Sequence, residues 1–190
     1  MSEPLTPAFS RRMAPGEDRE RAVCDHCGFV AYENPKIVVG SVVRHEGRIL
    51  LCRRAIAPRA GFWTIPAGYL ELNETPEEGA RREAREEADA DLELDRLLAV
   101  YAVSRISQVQ LIYRARLADP VIAPGPESIE VRLFAPDEIP WGELAFPSVH
   151  WALAHDAAAE AGAPPVPFTN PDGASGAQMP DGTPLAREDM

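Results

Sequence analysis

The chain reads as an α/β protein, on three observations. Strand-like runs stand between turns at 37–43, where β-branched residues dominate, and at 97–104, 108–117 and 129–134. A charged helix with strong start signals opens at Thr75, and a second helix opens at Pro147. Strands and helices interleaved in this order suit one sheet covered by helices. The length of 190 residues allows one domain with a sizeable core and not two.

In chain order, residues 1–36 contain Pro, Arg and Glu with little apolar periodicity, and read as an N-terminal arm holding Cys24 and Cys27. From Ile37, IVVGSVV and RILLC flank the turn-like HEG and read as a hairpin. Gly61 to Gly68, with its aromatics, reads as a loop leading into the charged helix. LLAVYAVS and QVQLIYRARL follow as strands. The latter puts Val109, Leu111, Tyr113, Ala115 and Leu117 on one face and Gln108, Gln110, Arg114 and Arg116 on the other. IEVRLF is a further strand, PDEIPWGEL a turn-rich connection, and 147–160 a helix with proline in its first turn. Residues 161–190 carry almost no large apolar side chain and are expected to form a mobile tail. No internal repeat is visible.

Bulk properties narrow the function. A formal net charge of -11 argues against nucleic acid and anionic membrane as partners and suits a site that collects cations. The N-terminus lacks a signal-peptide apolar core, and no run approaches the roughly 20 residues of a membrane span. Three cysteines without framework spacing fit a reducing compartment, so the cytosol is expected.

The segment ETPEEGARREAREEAD (74–89) carries the chemistry. Thr75 and Glu78 have capping-box spacing and Pro76 occupies the first turn. Side chains four apart share a face. Ala80, Ala84 and Ala88 form a small apolar row able to pack closely on a sheet. Glu77, Arg81 and Arg85 form a second row and Glu78, Arg82 and Glu86 a third, both with opposite charges adjacent. The fourth row is Gly79, Glu83 and Glu87, in which Gly79 is expected to leave open space beside the carboxylates. Glu83 repels Glu87 and Glu86. At about 6 Å and an effective dielectric of 20, partial burial makes that repulsion roughly 3 kcal/mol per pair. A hard divalent cation reverses the sign, and Mg²⁺ takes such oxygen ligands while keeping water and phosphate oxygens.

Together with the loop before it, the segment reads G-x5-E-x7-R-E-U-x-E-E, through Gly68, Glu74, Arg82, Glu83, Ala84, Glu86 and Glu87. This resembles the Nudix box of the Nudix hydrolases. The resemblance implies an α/β/α sandwich with a mixed sheet, a loop-helix-loop at the site, and cleavage of nucleoside-linked diphosphates with Mg²⁺ or Mn²⁺. It also implies Glu83, Glu86, Glu87 and the Ala67 carbonyl as metal ligands, Arg82 as their orienting partner, and Gly68 and Glu74 as structural residues. One position departs: Asp89 stands where the family has glycine. Asp tolerates the left-handed conformation better than most residues, so the chemistry is expected to survive.

Cys24-Asp-His-Cys27-Gly28, Tyr32-Glu33-Asn34-Pro35-Lys36, Gly125–Val131, Ile139-Pro140-Trp141 and Ala145-Phe146-Pro147 resemble a Nudix subgroup preceded by a zinc ribbon and associated with ADP-ribose and FAD. That likeness divides the chain into a degenerate ribbon at 1–36, the hydrolase domain at 37–160 and the tail at 161–190. A structural zinc wants four Cys or His ligands. One knuckle is present, with His26 inside its turn and Cys52 in a strand, so no zinc is expected.

Outside the box, Glu127 and Glu130 are candidates for a further catalytic carboxylate, beside the reading of plain surface charges. Arg53 and Arg54 could hold phosphate, and Phe62, Trp63 or Tyr69 could stack on a base, although aromatics also fill cores. His150 and His155 are expected to be structural. The expected activity is Mg²⁺-dependent hydrolysis of ADP-ribose or FAD to two monophosphates. NAD(H), a capped RNA end and a nucleoside triphosphate are the alternatives within the class, and a non-catalytic nucleotide sensor the alternative outside it. The expected partner is a small nucleotide, with homodimerisation left open.

Overall fold

A computed structural model describes residues 8–185. The chain divides into two compact units between Pro35 and Lys36. The first is not the irregular arm expected from its composition. It is a three-stranded antiparallel sheet in which β1 (Phe9–Met13) pairs β2 (Glu20–Cys24) and β2 pairs β3 (Val30–Ala31). Polar groups tie it down in place of a large core: Glu17 takes hydrogen bonds from Arg21 Nε (3.0 Å) and Tyr32 Oη (2.6 Å), and Ser10 donates to Asp25 (2.6 Å).

The second unit is built on a mixed seven-stranded sheet. Its strands are β4 (Lys36–His45), β5 (Arg48–Arg54), β6 (Trp63–Thr64), β7 (Ala67–Tyr69), β8 (Leu92–Val103), β9 (Gln108–Leu117) and β10 (Ser128–Phe134). The order is β10-β5-β4-β9-β8, with β6 on β5 and β7 on β4. β4 and β9 run parallel from Lys36↔Gln108 to Arg44↔Arg116; the other pairs are antiparallel.

The expected hairpin exists only at its tip. Glu46 and Gly47 both adopt positive φ, as a tight two-residue turn needs, and Arg44↔Ile49 and His45↔Arg48 pair across it. Beyond that, β4 turns to β7 and β5 to β6 and β10. The loop before the charged helix therefore contributes two short strands that its glycines and prolines had concealed.

Helices cover both faces. On one lies α1 (Pro76–Ala88), with Ala80, Ala84 and Ala88 fully buried. Ala84 and Ala88 pack with Val43, Leu50, Cys52 and Ala115, and Ala80 with Val39 and Tyr113. On the other lies α2 (Pro147–Glu160), whose Trp151, Ala152 and Leu153 join Val42, Leu51, Leu98, Tyr101 and Ile112. The result is the three-layer α/β/α arrangement, and the double cover explains why both Ile112 and Tyr113, on opposite faces of β9, are buried. α2 also carries the fully buried Asp156, held by Arg44 Nε (2.6 Å) and Arg114 Nε (2.8 Å).

Residues 161–185, expected as a mobile tail, are bonded to the edge strand β8 at Phe168 and Asn170. Phe168 Nα donates to Leu98 O (2.8 Å), Val100 Nα donates to Phe168 O (2.9 Å), and the Phe168 ring stacks on His155 at 4.3 Å. Backbone bonding to a strand edge requires no apolar run, which is why composition did not reveal it. The rest of the expected tail, 186–190, lies outside the described residues.

Candidate active site

The N-terminus of α1 is set by its sequence. Thr75 is the N-cap: its Oγ accepts from Glu78 Nα (3.3 Å), and the Glu78 carboxylate accepts from Thr75 Nα (2.8 Å). Glu78 is thereby spent on the cap. At the other end Asp89 adopts φ 49°, ψ 34°, the left-handed C-cap expected where the usual glycine is missing. Gly79 does not open a space beside the carboxylates. A Cβ there would meet Glu74 Oε1 at 2.8 Å and Val39 Cγ2 at 2.9 Å, so its role is to let the helix sit close on β4.

Arg82 organises the loop-helix-loop. Its Nη2 donates to Glu74 Oε1 (2.7 Å) and Tyr69 O (2.9 Å), its Nε to Glu74 Oε2 (3.0 Å), and its Nη1 to Glu83 (2.7 Å) and Glu86 (3.0 Å). Glu74 also accepts from Glu71 Nα (2.7 Å), which binds the loop to the helix start. These contacts hold the Glu74 carboxyl below its usual range, with Arg82 the largest cause.

Glu83 and Glu87 are buried, at 8% and 5% exposure, while Glu86 is open to solvent. Gly68 lies directly beneath Glu83, where any Cβ would overlap the carboxylate. Glu87 accepts from the amide of Ala67 (3.0 Å). Burial first, then the charges of Glu83 and Glu127, pushes the Glu87 carboxyl up to about 8 against the opposing pull of the Ala67 amide and Arg54. Burial also raises Glu83, with Arg82 opposing and Glu86 and Glu127 adding to the shift.

The connection from β9 to β10 delivers Glu127. Ala123 and Gly125 donate backbone hydrogen bonds to Ala88 O (2.9 Å) and Glu87 O (3.1 Å), and a Cβ at Gly125 would overlap the Glu86 carbonyl. Only glycine permits that approach. The sequence marked Gly125 only as part of a likeness, without a role; its place between two prolines was the available signal. Glu130 is exposed on β10, nearest to Arg53 Nη1 at 3.9 Å, and outside the site cavity.

These groups line a cavity of about 690 Å³, a size suited to a nucleotide-sized ligand. Arg54, Ala67, Gly68, Tyr69, Glu83 and Glu87 stand in its wall, with Val38, Ile65, Gln108, Gln110 and Phe146 among the lining residues that the sequence did not single out. Arg54 is half-buried, its Nε given to Pro58 O (2.8 Å) and its guanidinium 5.2 Å from the Phe146 ring centre. Arg53 lies outside the cavity and holds Gly61 O (2.9 Å). Trp63 is a core residue, 6% exposed and edge-on to Phe134 at 4.9 Å, because β6 turns it under the sheet. Phe62 is covered by the Arg59 guanidinium at 3.8 Å and is not in the cavity wall.

Among the described residues no three acidic, His or Cys side chains stand ready as a metal cage. The Arg82 guanidinium lies between Glu83 and Glu86 and pairs with both. The donor set nevertheless fits a hard cation: two buried carboxylates of one helix edge repel each other, and Glu87, the more buried, makes no ion pair among the described residues.

A Nudix domain family model matches residues 34–154, and the Nudix N-terminal model matches residues 6–33. The chain belongs to the Nudix family. A crystal structure of a NUDIX hydrolase from Nitrosomonas europaea superposes with a TM-score of 0.82 and 41% identity, covering 88% of this chain and 96% of that one. A MutT-like protein of Streptomyces ambofaciens is 41% identical over 102 residues, 54% of this chain and 64% of the relative. An ADP-ribose pyrophosphatase of Methanocaldococcus jannaschii is 34% identical over 71 residues, 37% of this chain and 42% of the relative. The matches thus span less than two thirds of these two relatives' length.

The protein is a Nudix-type hydrolase, and Nudix hydrolases generally use divalent metals such as Mg²⁺. In the N-terminal unit a four-ligand Cys/His set is not assembled among the described residues. Cys24 and Cys27 sit in one turn closed by Gly28 Nα donating to Cys24 O (3.0 Å), with His26 between them. β1, which pairs with that strand, offers Phe9, Ser10, Arg11, Arg12 and Met13, none of them a zinc ligand. No described helix is long and apolar enough to cross a membrane.

Proposed function

We propose that this Nudix hydrolase cleaves the diphosphate of a small nucleoside diphosphate derivative, of the ADP-ribose or FAD kind, into two monophosphates. The observation that carries the reading is the buried Glu83–Glu87 edge opening on a nucleotide-sized cavity. Glu83, Glu86, Glu87 and the Ala67 carbonyl hold the divalent cation, Mg²⁺ or Mn²⁺. The chemistry it supplies is neutralisation of phosphate charge and activation of water. Arg82 keeps the carboxylates aimed while Glu74 holds Arg82. Glu127, near enough to raise Glu87, accepts the proton of the attacking water, and Glu130 takes no part. Arg54 holds a phosphate oxygen at the cavity wall, and Arg53, Phe62 and Trp63 serve the scaffold. The curated relative named as an ADP-ribose pyrophosphatase supports the substrate class.

The test is a panel of ADP-ribose, FAD, NADH, diadenosine polyphosphates and nucleoside triphosphates with Mg²⁺, products being separated by chromatography. AMP with ribose phosphate, or AMP with FMN, is the expected outcome. Absence of turnover across all diphosphates would replace the enzyme reading with a nucleotide-sensing one.

A further inference from the structure

The segment 168–185 closes one end of the cavity. It begins with a single parallel bridge on the outer edge of β8, through the Phe168 hydrogen bonds to Leu98 and Val100. Asn170 then imitates a peptide group: its Oδ1 accepts from Ala102 Nα (2.9 Å), while its Nδ2 donates to Ala102 O (2.9 Å) and to Ala174 O (3.0 Å). Three hydrogen bonds from one side chain clamp the segment where it leaves the edge. Further on the chain folds back on itself, Met179 Nα donating to Thr183 O (2.8 Å) and Leu185 Nα to Ala177 O (3.0 Å). Gly176, lying against Val103, and Leu185 are thereby brought into the cavity wall, and Leu185 is only 6% exposed.

The position of this wall matters. Val103 ends β8, three strand spacings from β7, which carries Ala67 and Gly68 beside the carboxylates. At about 4.8 Å per strand that is roughly 14 Å across the sheet. The cavity therefore has a charged end at α1 and an apolar end made by Val103, Ile106, Val149 and Leu185, with Gln108 and Gln110 lining the same cavity. A diphosphate belongs at the first end and a flat, uncharged ring at the second.

We propose that Leu185, held by the Asn170 clamp, is a specificity-determining residue that seats the base of the nucleoside. The inference rests on the diphosphatase reading above and adds which part of the chain selects the substrate.

The experiment compares the full chain with Leu185→Ala and Asn170→Ala, using ADP-ribose and the base-free P1,P2-dimethyl diphosphate. Leu185→Ala lowers the ratio of kcat/KM for ADP-ribose to that for the base-free ester about tenfold, mainly through KM. Asn170→Ala moves the ratio in the same direction. An equal change for both esters, or a gain for both on loosening the segment, would overturn the proposal, the latter making the segment a plug. Calorimetric titration of AMP decides the point independently of turnover: weaker binding to Leu185→Ala supports it and unchanged binding sinks it. If the unmodified protein splits no diphosphate, the diphosphatase reading fails, and the AMP titration still judges Leu185.

Discussion

Two carboxylates are buried on opposite faces of the same sheet, and they are treated in opposite ways. Asp156 on α2 is fully buried and meets two guanidinium groups, Arg44 and Arg114, with Glu160 also paired to Arg114. Glu87 on α1 is nearly as buried but has one backbone amide, no ion pair among the described residues, and Glu83, Arg54 and Glu127 as the charges acting on it, two of them negative. A structural carboxylate is compensated within the chain. A carboxylate with so little positive charge around it is pushed up to about 8 instead, the kind of shift that burial and like charges produce at functional positions. The same burial is stabilising architecture in one case and stored cost in the other.

The contrast is broken most severely by Glu87→Gln. If the proposed metal role holds, turnover falls on the order of 10³-fold, about 4 kcal/mol of barrier, while the Ala67 hydrogen bond persists. Steady-state kinetics with Mg²⁺ checks this, and full activity would remove Glu87 from the site.

Stability should move the other way. The folded carboxyl binds its proton more tightly than the unfolded one, so the folded state holds more protons between the two values and loses stability as pH rises through that window. For the metal-free protein, between pH 6 and 8, this term is about 2 kcal/mol. Denaturant melts in EDTA should show the slope in the native chain and lack it in the variant. Added Mg²⁺ should flatten it too.

Asp156→Ala tests the other side. Removing the carboxylate strands Arg44 and Arg114 in a partly buried position, and a loss of about 3 kcal/mol of stability is expected. The residual folded protein should keep its KM. A loss of activity without a loss of stability would mean the two faces are coupled.

The smallest effect is Asp89→Gly. Relieving a non-glycine left-handed residue at the C-cap should raise stability by about 0.5–1 kcal/mol, with activity unchanged. Thermal melting with ADP-ribose kinetics at one temperature suffices to measure both.

Legibility in the sequence followed the range of the interactions involved. The α1 cap was readable because Thr75 and Glu78 are three residues apart. The packing row was readable because Ala80, Ala84 and Ala88 repeat every four, and the carboxylate edge emerged by the same rule. Trp63 misled because an aromatic in a glycine-bounded loop looks available, and only the β5–β6 pairing turns it under the sheet. The packing role of Gly125 was not readable because its constraint, the Glu86 carbonyl, comes from a helix about 40 residues earlier in the sequence.

Sequence alone was enough for the class of the fold, the limits and polarity of α1, and the row that brings Glu83 and Glu87 to one helix edge, since each depends on residues within a few turns of one another. Long-range packing alone set the parallel β4–β9 pairing, the placing of Glu127 and not Glu130 in the cavity wall, the position of Arg53 and Trp63 outside that wall, and the C-terminal segment as part of it. Those outcomes depend on backbone groups meeting across long chain separations. Backbone groups are the same at every residue, so no side-chain pattern announces where they will pair.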